Sequence, residues 1–203
     1  MTRRQVHPIE QESYRRLRAR ADTSHLPPLT RAVAERVVHS SADLAYLDDL
    51  VIADESVLRA AADALAAGAP LVADVEMVAA GITRRKALCR VREAVGDPAT
   101  GLTRSAAAIR MALEEVGHGA VWVIGCAPTA LEELLLLDAR PALVIGLPVG
   151  FVGAAESKEA LRASGLPAVS NISEKGGSAV AAAAANALLY PDLYENHHHE
   201  ESL

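Results

Sequence analysis

Pro141-Ala142-Leu143-Val144-Ile145-Gly146-Leu147-Pro148-Val149-Gly150-Phe151-Val152-Gly153-Ala154-Ala155-Glu156-Ser157-Lys158 is the stretch on which the reading of the fold turns. It opens with an uninterrupted apolar run, Pro141 to Ile145, read as a buried strand over 142–145. It then offers two glycines where backbone can approach a ligand, and closes with Glu156-Ser157-Lys158 at the start of a helix running through Ala163. A turn between a buried strand and a helix is where open α/β sheets bind ligands. The only Phe of the chain, Phe151, lies in that turn, in a sequence with 3% aromatic residues.

The same grammar repeats outward in both directions. Strands are predicted at 70–73, 120–124 and 166–170, with a weaker one at 87–91. Helices are predicted over 8–21, from an N-cap at Thr30 to about Ser41, over 55–67, over 103–116, from Thr129 to about Leu137, and from Gly176-Gly177-Ser178 to just before Pro191. Asp22 to Pro28 reads as a loop in which Pro27-Pro28 blocks a helix. Solid apolar strands alternating with helices imply a three-layer α/β/α fold with a mainly parallel sheet of Rossmann-like open topology, covered on both faces. A single domain over residues 1–193 is expected, followed by a polar tail over 194–203.

Composition removes several function classes. The 203 residues carry a formal charge of -6, which is no electrostatic footprint for nucleic acid. The longest apolar stretch, Ala120 to Leu137, is broken by Pro128, Glu132 and Glu133 and cannot span a membrane. The N-terminus, MTRRQVHPIEQES, has no apolar segment of a signal peptide. Cys89 and Cys126 lie in apolar runs outside any CxxC, and read as reduced, buried thiols of a cytoplasmic protein. No metal site is expected. His7, His25 and His118 have no ligand spacing, and His197-His198-His199 lies in the tail.

Four turns put glycine and small hydroxyl residues just before a helix: Gly101-Leu102-Thr103-Arg104-Ser105, Gly125 to Thr129, Gly146 to Lys158, and Lys175-Gly176-Gly177-Ser178. Helix N-termini gathered at one sheet edge make a rim for anions. The residues alone leave open whether these turns do more than cap helices. None of them is a phosphate loop, a dinucleotide fingerprint or a nucleophile elbow. Arg104 stands in the first turn of a helix, against the helix dipole, which points to an anionic partner. Arg84-Arg85, after Thr83, is either a solvated face or part of the rim. Asp74 and Glu76 are either an acid–base pair or caps of the next helix. His39 is either a surface histidine at a helix end or a general acid working near neutral pH.

Six segments together resemble the precorrin-8X methylmutase family, also called precorrin isomerase or cobalt-precorrin-8 methylmutase. They are VVHS at 37–40, GAPLVADVEMVAAGITR at 68–84, TRSAAA at 103–108, APTALEEL at 127–134, PVGFVGAAESK at 148–158 and GGSAVAAAAANAL at 176–188. The resemblance implies an isomerase of corrin-ring (vitamin B12, cobalamin) biosynthesis that moves a methyl group from C-11 to C-12 of the macrocycle. It implies His39 as proton donor, Arg104 as carboxylate anchor and Ser13 as a further substrate contact. Thr103, Ser105, Thr83, Arg84, Gly150, Phe151, Gly153, Gly176, Gly177 and Ser178 complete the expected substrate-binding set. The implied partners are precorrin-8X or cobalt-precorrin-8 and a second copy in a homodimer, with no separate cofactor. Departures from the family pattern fall at Ala80, Leu102 and Cys126, which keeps open a corrinoid-binding paralogue without catalysis.

Overall fold

The computed structural model describes residues 7–190. The tail at 194–203, and residues 191–193 of the expected domain, lie outside the described residues. In chain order the elements are α1 Pro8–Arg18, α2 Pro28–Ser41, α3 Tyr46–Asp49, β1 Leu50–Ile52, α4 Glu55–Ala66, β2 Leu71–Ala73, α5 Glu76–Gly81, α6 Arg104–Val116, β3 Val121–Ile124, α7 Pro128–Leu136, β4 Leu143–Gly146, α8 Ala154–Ala163, β5 Ala168–Asn171 and α9 Ser178–Leu189.

The sheet order is β1-β5-β4-β3-β2, with β2 to β5 parallel and β1 antiparallel to β5 at the edge. Every residue of β2, β3 and β4 is buried, as expected for strands covered on both sides. Alternation then sorts their side chains. Leu71, Val121, Val123, Leu143 and Ile145 join one core with α2, α4 and α9. Val72, Trp122, Ile124 and Val144 join the other with α6, α7 and α8. Parallel strands added in one direction by right-handed crossovers place their connecting helices on one face. The opposite face is left for helices from the two ends of the chain, and α2, α4 and α9 fill it.

The alanine content of α9 has a packing reason. A Cβ added at Gly81 would lie 2.7 Å from Ala182 Cβ, and one added at Gly125 would lie 2.8 Å from Ala181 Cβ. Only small residues on both sides let α5 and the turn after β3 come this close to α9.

Several expectations are corrected. Thr30 is not an N-cap, because α2 begins at Pro28, where a missing N–H costs nothing. The capping acceptor comes from 25 residues away: the Glu55 carboxylate accepts from Leu29 N at 2.9 Å, Thr30 N at 3.0 Å and Thr30 Oγ1 at 3.0 Å. The strand expected at 87–91 reduces to one bridge between Leu88 and Val72, after which Arg90 O accepts from Glu93 and Ala94 in a turn. Both cysteines are free, but neither is fully buried: Cys89 is half-buried and Cys126 is exposed. The sequence reading assigns nothing between Ser41 and Glu55, where α3 and β1 lie. Among the described residues no helix is long and apolar enough to cross a membrane.

Candidate active site

The four glycine- and hydroxyl-bearing turns meet at the C-terminal edge of the sheet, each tied down by a different device. Asp74, fully buried at the end of β2, accepts from Gly125 N at 3.1 Å, Cys126 N at 2.8 Å and Ala127 N at 2.9 Å. Burial pushes its carboxyl above the ordinary range, against the pull of these amide bonds. Asp74 thus shapes the turn that starts α7 rather than capping α5. Glu76 pairs with Arg92 at 3.2 Å in an exposed contact. Thr103 caps α6 by accepting from Ala106 N at 3.1 Å, and its hydroxyl meets that of Thr129 at 2.8 Å, which sets the first turns of α6 and α7 side by side.

The other two turns are stitched to each other. Gly150 N donates to Glu174 O at 3.2 Å, and Gly177 N donates to Leu147 O at 2.9 Å. A Cβ at Gly176 would collide with the carbonyl oxygens of Leu147 and Pro148, so only glycine passes there. Gly153, at φ 78°, opens α8 in the left-handed region. Ser157 and Lys158, at the start of this helix, are both buried rather than open to a ligand. They lie on the stripe Ala154, Ser157, Lys158, Leu161, the inward face of α8. Lys158 Nζ donates to Asn171 Oδ1 at 2.9 Å, to Lys175 O at 2.6 Å and to Ser173 O. Desolvation lowers the Lys158 pKa to about 8. On the other side of this turn Asp49 accepts from Ile172 N, Ser173 N and Asn171 Nδ2. Phe151, in contrast, is 95% exposed at the tip of the rim, beside the exposed Val152.

His39 stands near the end of α2, exposed, on the same side as the 172–177 turn. The link is Lys175, which pairs with Asp43 at 2.6 Å just beyond α2 and lies over the Tyr46 ring. Ser13 Oγ is 2.8 Å from His39 Nδ1, and the Tyr14 ring stacks on the imidazole with centroids 5.0 Å apart. With Nδ1 engaged and the ring plane fixed by Tyr14, Nε2 is the nitrogen left for an incoming group. Beside the imidazole lies a cavity of about 150 Å³ lined by Ser13, Arg16, Leu17, Arg20, Val38, His39, Ala42 and Leu44.

The α1 helix that carries Ser13 is pinned to α2 by Glu35. Its fully buried carboxylate accepts from Arg18 Nε at 3.0 Å, Arg18 Nη2 at 2.8 Å, Thr23 Oγ1 at 2.5 Å and Arg31 Nε at 2.9 Å.

The expected binding residues fall into separate groups. Ser13 and His39 are together. Thr103, Arg104 and Ser105 start α6, in the layer on the other side of the sheet from α2; Arg104 is exposed and has no ion-pair partner among the described residues. Gly150, Gly153, Gly176, Gly177 and Ser178 form the stitched rim. Thr83 and Arg84 are at the far end of α9. Thr83 N donates to Asn186 Oδ1 at 3.1 Å, and its hydroxyl meets Tyr190 OH at 3.1 Å. Arg84 donates to Leu189 O at 2.5 Å. A helix of 12 residues separates that end from Gly177 by about 18 Å. Sequence reasoning did not single out Arg16, Arg20 or Glu35; the signal for the arginines was the Arg-rich face over 8–21.

A family model described as precorrin-8X methylmutase matches residues 8–191. The chain belongs to the precorrin-8X methylmutase family. It is 45% identical over 195 residues to the precorrin-8X methylmutase of Pseudomonas aeruginosa, covering 89% of this chain and 93% of that one. It is 42% identical over 183 residues to the cobalt-precorrin-8 methylmutase of Salmonella typhimurium, covering 84% and 86%. A solved precorrin-8X methylmutase structure from Thermus thermophilus superposes with a TM-score of 0.75 at 33% identity, covering 90% of this chain and 96% of that one. This methylmutase-family chain is therefore an isomerase of cobalamin biosynthesis.

Proposed function

We propose that the chain moves a methyl group from C-11 to C-12 of precorrin-8X or cobalt-precorrin-8, giving hydrogenobyrinate or cobyrinate, with His39 as the proton donor. The observation that carries this reading is the Ser13–His39 contact of 2.8 Å at an exposed imidazole beside a cavity. Ser13 engages Nδ1 and so fixes which nitrogen, Nε2, faces the ring. An imidazole exchanges protons near neutral pH, and protonating the conjugated macrocycle lowers the barrier to migration. The shift is intramolecular, so it needs no nucleophile, and no separate cofactor enters it.

The substrate is an apolar disc fringed by carboxylates. Arg104, at the start of α6 and without an ion-pair partner among the described residues, suits a charge-assisted anchor for one of them. The α6 and α7 N-termini, joined through Thr103 and Thr129, and the glycine rim at 150–153 and 176–178 supply further N–H donors. Phe151 offers an apolar face. His39 and Arg104 lie in opposite helical layers, and this favours a site completed beside a second copy, in a homodimer working in the cytoplasm.

Incubation with precorrin-8X and with its cobalt form, followed by absorbance, tests the reading. Single-turnover conversion is expected with the wild type, and Ala at His39 is expected to slow it at least about 100-fold. Tight binding without a spectral change would identify a corrinoid carrier instead, and wild-type conversion by His39→Ala would remove His39 from the mechanism.

A further inference from the structure

The Arg-rich face of α1 has a division of labour that the fold alone does not require. Arg18 is spent on the buried Glu35, and Arg15 on Glu12, with Nε–Oε2 at 2.6 Å. Arg16 and Arg20 instead line the cavity beside His39. Arg16 shares Glu12 with Arg15 at 2.8 Å, whereas Arg20 is exposed and has no ion-pair partner among the described residues. Arg16 lies in the last turn of α1 and Arg20 in the turn just beyond it, where Arg20 N donates to Leu17 O at 2.9 Å. The helix dipole tolerates cations there but does not select a pair aimed at one hollow.

The hollow has the shape and polarity of a receptor for an aliphatic acid. It is lined by Leu17, Val38, Ala42 and Leu44 together with Arg16, Arg20, Ser13 and His39. At about 150 Å³ it is well below the roughly 300–1,000 Å³ of pockets that enclose a whole ligand. It therefore takes one arm of a larger molecule: methylenes against the leucines and valine, and a carboxylate against the guanidinium groups.

We propose that Arg20, assisted by Arg16, is a substrate-recognition residue that clamps one peripheral carboxylate arm of the macrocycle in this hollow and so fixes the ring over His39. The proposal rests on the corrin reading above and adds to it a second anchor, on the same layer as the imidazole. Arg104 anchors from the other layer. Two separated anchors determine the rotation of a disc, which one cannot.

The test uses Arg20→Gln, an exposed substitution that leaves the core untouched. The probes are precorrin-8X for turnover, and two forms of the product corrinoid for binding, one with all peripheral acids free and one with them amidated. The expected result is a KM for precorrin-8X raised about tenfold with kcat within about twofold, the cost of one charge-assisted bond at a solvated site. Affinity for the free-acid corrinoid should fall by a similar factor, and affinity for the amidated form should not change. Arg20→Lys should recover part of the loss, because it restores the charge without the two-pronged geometry. Unchanged KM and binding in Arg20→Gln, with an active wild type, would overturn this inference alone, as would an equal loss for both corrinoids. A wild type that neither converts precorrin-8X nor binds either corrinoid would instead overturn the assigned activity and this inference with it.

Discussion

Glu35→Gln tests a buried carboxylate on which four side-chain hydrogen bonds converge. The wild-type carboxylate is fully buried and receives two bonds from Arg18, one from Arg31 and one from Thr23. Desolvation pushes its carboxyl up, but the bonds from Arg18, Thr23 and Arg31 outweigh this and hold it below the ordinary glutamate value. Removing one partner of a buried pair costs about 3–5 kcal/mol, because the other charge is left uncompensated. The arginine side chains retain 29% and 13% exposure and can turn toward water, so the loss here is nearer about 2 kcal/mol. For a chain of this size that is a fall in Tm of about 4–8 °C at pH 7. The loss concentrates on α1, which buries only Tyr14 and Leu17. Amide exchange over 8–18 should therefore rise more than exchange in the strands, and turnover should fall as Ser13 leaves His39. The sign with pH follows from the lowered pKa. The stabilisation is fully present above the unfolded glutamate value of 4.5, and is lost as pH falls below it through the folded value. The difference between wild type and Glu35→Gln should accordingly be largest near neutrality and shrink in acid. A constant difference across pH 3 to 7, or unchanged exchange in α1, would refute the reasoning.

Two further substitutions address the stitched rim. Gly176→Ala forces a Cβ onto the Leu147 and Pro148 carbonyls, which are backbone and cannot rotate away; a loss of about 1–3 kcal/mol in chemical unfolding is expected, and a neutral variant would mean the turn is looser than its geometry. Lys158→Met removes a buried ammonium whose pKa is lowered from 10.5 to about 8, a shift worth about 3 kcal/mol. Because the folded pKa is the lower one, wild-type stability gains as pH rises from about 8 to about 10.5, so urea unfolding should show the wild-type advantage over Lys158→Met growing across that window; an advantage independent of pH would contradict it.

The strands β2, β3 and β4 were legible because burial on both faces leaves a solid apolar run, which needs no partner to be recognised. The edge strand β1 was not. Leu50-Val51-Ile52 is three residues long, follows Asp48-Asp49, and gains its identity only from register against Asn171, Ser170 and Val169. Thr30 illustrates a second limit: a local cap rule met a carboxylate 25 residues away that does the same job. At the site, the gathering of the four turns followed from the alternation of strands and helices. The placing of Ser13 beside His39 did not, because 26 residues and a helix packing separate them, and only the family resemblance joined them in advance. Glu156-Ser157-Lys158 at a helix start gives no local sign that Lys158 is buried. Its spacing from Ala154 and Leu161 was the available sign that it points inward.

Charge placement explains how a chain with a net charge of -6 can suit a polycarboxylate. Long-range steering is unfavourable, so recognition has to be local and its cations must not already be spent. Most arginines are spent: Arg18 and Arg31 on Glu35, Arg90 on Glu115, Arg110 on Glu133, Arg140 on Asp138. The lysines of the rim are spent as well, Lys158 beneath the 172–177 turn and Lys175 on Asp43. Near the sheet edge, the pairing of Lys175 with Asp43 and the bonds from Lys158 to Ser173 O and Lys175 O tie down the 172–177 turn. Arg20 and Arg104 are among the cations without ion-pair partners among the described residues, one beside His39 and one at the start of α6. Under the proposed function, satisfied charges hold the turns while cations in both helical layers stay open to an acid-fringed disc, and the proton comes from one held imidazole.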